Sequence, residues 1–180
     1  MKRLFTILIS VSAALLALSC QKGDGDIDYG NMLVYIPQAT VNGGLDNYYT
    51  VPSGGAENSY NFRVDGDVVN VMLGVARSGK ASGEAFSVEV VVDNGLTAKA
   101  VEALKATPLQ GSAYTLPSKV EVEAGRNNAS FYLAVKKSEI VAGTKYVLGV
   151  AIENPSSYDL AKSNTEVVVV IDCDALLKLI

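Results

Sequence analysis

From residue 31 onward the chain is a series of short apolar runs broken by polar turns, and most of the runs alternate with a period of two. Phe86, Val88, Val90 and Val92 interleave with Ser87 and Glu89, and Val120-Glu121-Val122-Glu123 repeats the in–out pattern. In the run 69–76, Val71, Leu73 and Val75 share one face while Met72, Gly74 and Ala76 share the other. Further strands are expected over 32–37, 60–64, 114–116, 129–135, 145–153 and 166–172. Asp65-Gly66-Asp67, Asp93-Asn94-Gly95, Gly125-Arg126-Asn127-Asn128, Ala142-Gly143 and Asn154-Pro155-Ser156-Ser157 supply the turns between them. Only Leu96–Lys105 has helical spacing, with Leu96, Ala100, Val101 and Leu104 on one side, Thr97 placed to start it and Pro108 past its exit.

Short strands at roughly ten-residue spacing, without a strand–helix rhythm, predict an all-β sandwich over 31–173 with one short inserted helix at about 96–105. Its core is expected to include Val71, Leu73, Val75, Val88, Val90, Phe131, Leu133, Val147 and Ile171. Residues 174–180 form an apolar tail that either caps the sandwich with a turn of helix or meets a partner surface.

The N-terminus carries a different pattern. Met1-Lys2-Arg3 precedes an apolar run from Leu4 to Leu18 that ends Ala17-Leu18-Ser19-Cys20, the layout of a secretion signal. The run is short for a transmembrane helix. A cysteine directly after the small residue resembles the lipobox of bacterial lipoproteins, which predicts cleavage after residue 19 and acylation, as by palmitate, at Cys20. The competing reading is an ordinary secretory signal that happens to hold a cysteine. Residues 21–30 are polar and Gly-rich, a flexible tether. Asp24, Asp26 and Asp28 begin like a calcium loop, but the pattern fails at Tyr29 and Tyr35. The acidic tether instead resembles the export signal that sends lipoproteins to the cell surface in Bacteroidota, so an outer-membrane, lipid-anchored location facing the exterior is expected.

Charge and composition then narrow the chemistry. Loss of the signal would leave 13 basic and 19 acidic side chains, a net charge of −6, and no basic cluster to hold nucleic acid. The two cysteines leave Cys173 without an internal disulfide partner once Cys20 is acylated. The sequence has no His, so Ser–His and Cys–His nucleophile activation are unavailable.

Four stretches carry a family resemblance: Val34-Tyr35-Ile36-Pro37-Gln38-Ala39, Val88-Glu89-Val90-Val91-Val92-Asp93, Tyr114-Thr115-Leu116-Pro117 with Val120-Glu121-Val122-Glu123-Ala124-Gly125, and Tyr146-Val147-Leu148. In order and spacing they resemble a domain of unknown function found at the N-terminus of Bacteroidota surface lipoproteins. The resemblance implies an immunoglobulin-like sandwich encoded with glycan-uptake machinery, ahead of a glycosidase of family 18 type or a lectin-like module. The chain departs from that pattern in stopping at Ile180, with no catalytic module expected, and in carrying Gly149 where relatives tend to carry Pro. The family brings no catalytic residues with it.

Carboxylates are the remaining acid–base candidates, but Glu89, Glu121, Glu123 and Glu166 occupy the polar positions of alternating strands and read as solvated faces. No enzyme activity, metal site or cofactor is expected. Sugar binding needs an aromatic face and polar groups for hydroxyls. Trp is absent and Tyr occurs nine times. Tyr48 and Tyr49 beside Asp46 and Asn47, and Tyr158 beside Asp159, lie in turn-rich segments and form the candidate ligand site, against the alternative that these rings cover the sandwich ends. The expected role is non-catalytic glycan capture or adhesion at the cell surface; the alternative is a structural spacer or assembly subunit of a surface complex.

Overall fold

The architecture, described for residues 31–79 and 83–180 of a computed structural model, consists of two six-stranded sheets sharing one core. In chain order the strands are β1 (Leu33–Tyr35), β2 (Tyr48–Val51), β3 (Phe62–Asp65), β4 (Val68–Arg77), β5 (Phe86–Val92), β6 (Thr107–Pro108), β7 (Tyr114–Thr115), β8 (Lys119–Val122), β9 (Asn128–Lys136), β10 (Lys145–Glu153), β11 (Asp159–Leu160) and β12 (Glu166–Asp172). Helix α1 (Asn94–Leu104) follows β5, and a short helix α2 (Cys173–Leu176) follows β12. One sheet runs β11-β1-β4-β9-β7 with β3 also paired to β4; the other runs β2-β12-β10-β5-β8 with β6 also paired to β10. The all-β sandwich with a single longer inserted helix is the fold that the apolar pattern predicts.

Period-two patterning becomes packing directly. Val71, Leu73 and Val75 of β4 pair with Leu133, Phe131 and Ala129 of β9. Their side chains meet those of Val88 and Val90 from β5 and Ile171 from β12 between the sheets. All nine expected core residues are buried. Each such aliphatic side chain contributes about 1.5–3 kcal/mol relative to exposure.

Val147 is the exception in location. It lies on the outer face of β10, in a second cluster with Ala100, Val168 and Val170 beneath α1. Strands β10 and β12 are therefore covered on both faces, which explains their nearly unbroken apolar sequences.

The helix starts earlier than its apolar spacing suggests. Asp93 is the N-cap: its carboxylate accepts a hydrogen bond from the Leu96 N–H at 2.8 Å, so Asp93-Asn94-Gly95 is a helix start rather than a plain turn. Thr97 sits one turn inside, donating its hydroxyl to the Asp93 carbonyl at 2.7 Å and accepting from the Gly149 N–H at 2.8 Å. Lys105, in the left-handed region at φ 50°, ends the helix.

The apolar C-terminus folds back on its own sandwich. Asp172 caps α2 by accepting from the Ala175 N–H at 3.0 Å, and Cys173 and Leu176 are fully buried in the main core. The signal, Cys20 and the tether lie outside the described residues.

Candidate functional site

A groove of about 740 Å³ opens beside β3, lined by Glu57, Asn58, Tyr60, Phe62, Arg63, Val64, Lys178, Leu179 and Ile180. Its lining comes from three stretches: Glu57 and Asn58, the residues from Tyr60 to Val64 that enter β3, and the chain following α2. Tyr60 and Phe62, two residues apart at the entry to β3, point the same way. Their rings stack with centroids 5.4 Å apart and an interplanar angle of 9°. Phe62 is buried and backs the half-exposed Tyr60, so the pair forms a fixed apolar platform at the groove.

The 53–59 loop is held by its own backbone. Ser59 Oγ accepts from the N–H groups of Gly55 at 3.1 Å and Ala56 at 3.0 Å. Gly54, at φ 119°, lies so close to the Ser59 carbonyl that no side chain fits there. Asn61 ties the platform to the opposite sheet: its side chain accepts from the Ser53 N–H at 2.7 Å and donates to the Thr50 carbonyl at 2.8 Å. Burial raises the Tyr49 hydroxyl above its ordinary pKa, and its hydrogen bond with Asn61 partly offsets this. On the outer face, the Arg63 guanidinium lies 4.3 Å from the centre of the Tyr132 ring, which fixes its orientation.

The tyrosines expected to bind ligand are elsewhere. Tyr48 and Tyr49 lie in β2, not in a turn, because they pair in register with Val168 and Val169 of β12. Tyr49 points into the core at 7% exposure, which corrects the expectation that its ring is a stacking surface. Half-buried Tyr48 packs against the cluster beneath α1. Tyr158 has φ 70°; its ring meets Phe86 edge-on at 5.4 Å, lies 4.8 Å from the Arg77 guanidinium and buries its hydroxyl. Tyr49 and Tyr158 are packing residues. Asp159 is exposed in β11, paired with Leu33. Asp46 and Asn47 border a separate polar cleft of about 510 Å³, together with residues 162–166. There Asp46 already accepts from the Asn42 side chain at 2.6 Å and the Tyr48 N–H at 3.0 Å. The six residues thus do not form one site.

Tyr60 and Arg63 were hidden in what reads as an ordinary strand. The available signal was Tyr60-Asn61-Phe62, two aromatics on one strand face directly after the polar Glu57-Asn58-Ser59. The chemistry present is that of binding: an aromatic platform with a carboxylate, an amide and two cations around it. Glu89, Glu121, Glu123 and Glu166 are all exposed. No group of three His, Cys, Asp or Glu among the described residues is arranged to hold a metal.

Fold and groove together define the class: an all-β sandwich domain with an open aromatic groove at one edge. Residues 29–159 match the model of a family defined as an N-terminal domain, and the chain belongs to that family, in agreement with the resemblance carried by the stretches from Val34 to Leu148. A protein of unknown function from Bacteroides ovatus has a similar fold, with a TM-score of 0.56 at 19% identity over 77% of this chain and 46% of its own. A candidate carbohydrate binding protein from Bacteroides ovatus ATCC 8483 gives 0.54 at 14% identity over 78% of this chain and 36% of its own. An auxiliary nutrient binding protein from Bacteroides thetaiotaomicron VPI-5482 gives 0.51 at 18% identity over 70% of this chain and 44% of its own. The chain thus spans less than half the length of each of these proteins. No curated protein matches the sequence.

Proposed function

We propose that this protein is a non-catalytic, lipid-anchored surface domain that helps capture glycans, with the β3 groove as its contact. The observation that carries the reading is the stacked Tyr60–Phe62 platform, bordered by Glu57, Asn58 and Arg63. A sugar ring presents a C–H face to an aromatic and hydroxyls to the groups around it, and this groove offers both kinds of partner on a rigid scaffold. Membership of an N-terminal-domain family, and folds shared with proteins described as binding carbohydrate or nutrient, support the same direction. The Cys20 lipobox supports attachment at the outer membrane, facing outward.

A glycan array probed with soluble residues 21–180, and repeated with Tyr60→Ala, tests the reading. Binding by the wild type that the variant loses, at an unchanged melting temperature, is the expected result. Absence of binding to every glycan, or equal binding by both proteins, would refute it.

The second reading is a structural spacer or assembly subunit. The observation favouring it is that the three Bacteroides structures named above are each more than twice as long as the part of them matched here.

A further inference from the structure

We propose that strand β8 is a dimerisation edge: it pairs antiparallel with the β8 of a second copy of this chain, about a twofold axis at Val120. The proposal goes beyond glycan capture and stands on a different part of the fold.

Among the described residues β8 ends its sheet, paired on one side with β5. Val90 donates its N–H to the Ser118 carbonyl at 3.0 Å, which makes residues 90 and 118 a hydrogen-bonded pair. Such pairs alternate along the strand, so the bonds of Val120 and Val122 face β5, whereas the N–H and C=O groups of Lys119 and Glu121 point away from it. No hydrogen bond among the described residues satisfies those outward groups. The other outer strands offer less. Strands β7 and β11 are two residues long, and β3 borders the groove. Strand β2 already gives its Tyr48 N–H to Asp46 and its Thr50 carbonyl to Asn61.

Charged side chains on an open edge keep copies apart when pairing sets like charges opposite one another. In β8 the exposed face carries Lys119 and Glu121, opposite in sign, while Val120 and Val122 are buried in the core. The outward groups of Lys119 and Glu121 must form the new bonded pairs, which restricts the register. A register centred on Lys119 or on Glu121 sets that residue opposite its own copy, so like charges meet. With Val120 on the axis, Lys119 faces the partner's Glu121, and Glu121 faces the partner's Lys119. Both pairs then exchange their N–H···O bonds, and each surface patch meets itself across the twofold. Lys119 also lies opposite Glu89 within its own sheet, and Glu121 opposite Ser87. The joined sheet therefore runs Glu89, Lys119, the partner's Glu121 across the axis, alternating in sign, and it supplies the basic neighbour that Glu121 lacks on its β5 side. None of the groove's lining residues lies in β8 or β5, so the contact uses none of them.

Analytical ultracentrifugation of soluble residues 21–180, which contain the entire described fold, reads the association. A single pair of strands is a small contact, so a dimer that dissociates at roughly 10–100 μM is expected. Lys119→Glu or Glu121→Lys alone turns both attractions across the axis into repulsions and should weaken the dimer at least about tenfold. The melting temperature of each variant should stay nearly unchanged, because both side chains are exposed. The double variant Lys119→Glu/Glu121→Lys restores opposite charges and should dimerise again. A wild type that stays monomeric up to about 1 mM would overturn the proposal and leave glycan capture untouched. Dimers that tolerate both single substitutions would overturn the assignment to β8. Single variants that weaken the dimer without rescue by the double variant would overturn this register.

Discussion

Three ionisable side chains held at least partly in the interior lend this domain stability that alkali should remove. Cys173 is fully buried, and burial raises its thiol above the ordinary value of 9.0; Asp172 and Asp174 add to this, against a backbone hydrogen bond from Val141 that lowers it. Tyr49 and Tyr114 are likewise raised above 10.0 by burial. A raised value means that the folded state holds its proton when the unfolded chain has begun to lose it. These groups therefore stabilise fully below about pH 9 and lose that contribution as pH climbs through the raised values. The melting temperature should fall as pH rises above about 9. A transition that stays level over that range would contradict the buried placement of these residues. At the same scale, Tyr49 shows what sequence conceals. Its neighbours Asp46 and Asn47 mark a turn, and nothing in the triplet Tyr48-Tyr49-Thr50 announces that β12 will pair beside it.

Helix α1 is the element that turns an ordinary sandwich into this one. It docks because Gly149 leaves room: an added Cβ would lie 2.6 Å from the Asp93 carbonyl oxygen and 3.0 Å from the Leu96 Cβ. The Gly149 backbone also binds the helix start on both sides, donating to Thr97 and accepting from the Asp93 N–H at 2.9 Å. A proline there would have no N–H to give Thr97. Gly149→Ala should thus push the helix off β10 and cost about 1–3 kcal/mol, read as a lowered denaturation midpoint. An unchanged midpoint would mean that the helix start shifts freely. The expected helix at 96–105 was legible because its apolar spacing is local. Its true beginning was not, since Asp93-Asn94-Gly95 is equally good turn chemistry until β10 is known to lie beneath it. Strands β6 and β11, two residues each, escaped for a related reason: their parallel partners, β10 and β1, lie far away along the chain.

For the molecule as a whole, location and fold rest on separate parts of the chain. The anchoring proposal predicts that Cys20→Ala leaves an unprocessed precursor and abolishes fatty-acid labelling. Persistent labelling, or normal cleavage of the variant, would remove the lipid anchor from the proposed function. Stable attachment through Cys20 would need more than one acyl chain, because a single chain binds membranes only marginally. The sequence alone determined the sandwich class, the principal strands and eight of the nine named core positions, Val147 being buried beneath α1 instead. Period-two alternation of apolar residues is a property of neighbours along the chain and survives in any β context. The groove was decided by tertiary structure. Glu57, Tyr60 and Arg63 line one groove with Lys178 and Ile180 only because β12 returns the C-terminus to the edge beside β3. Which tyrosines face solvent and which face the core was decided the same way. A side chain's exposure depends on the strand that pairs beside it, and that strand is set by the packing of the entire sandwich.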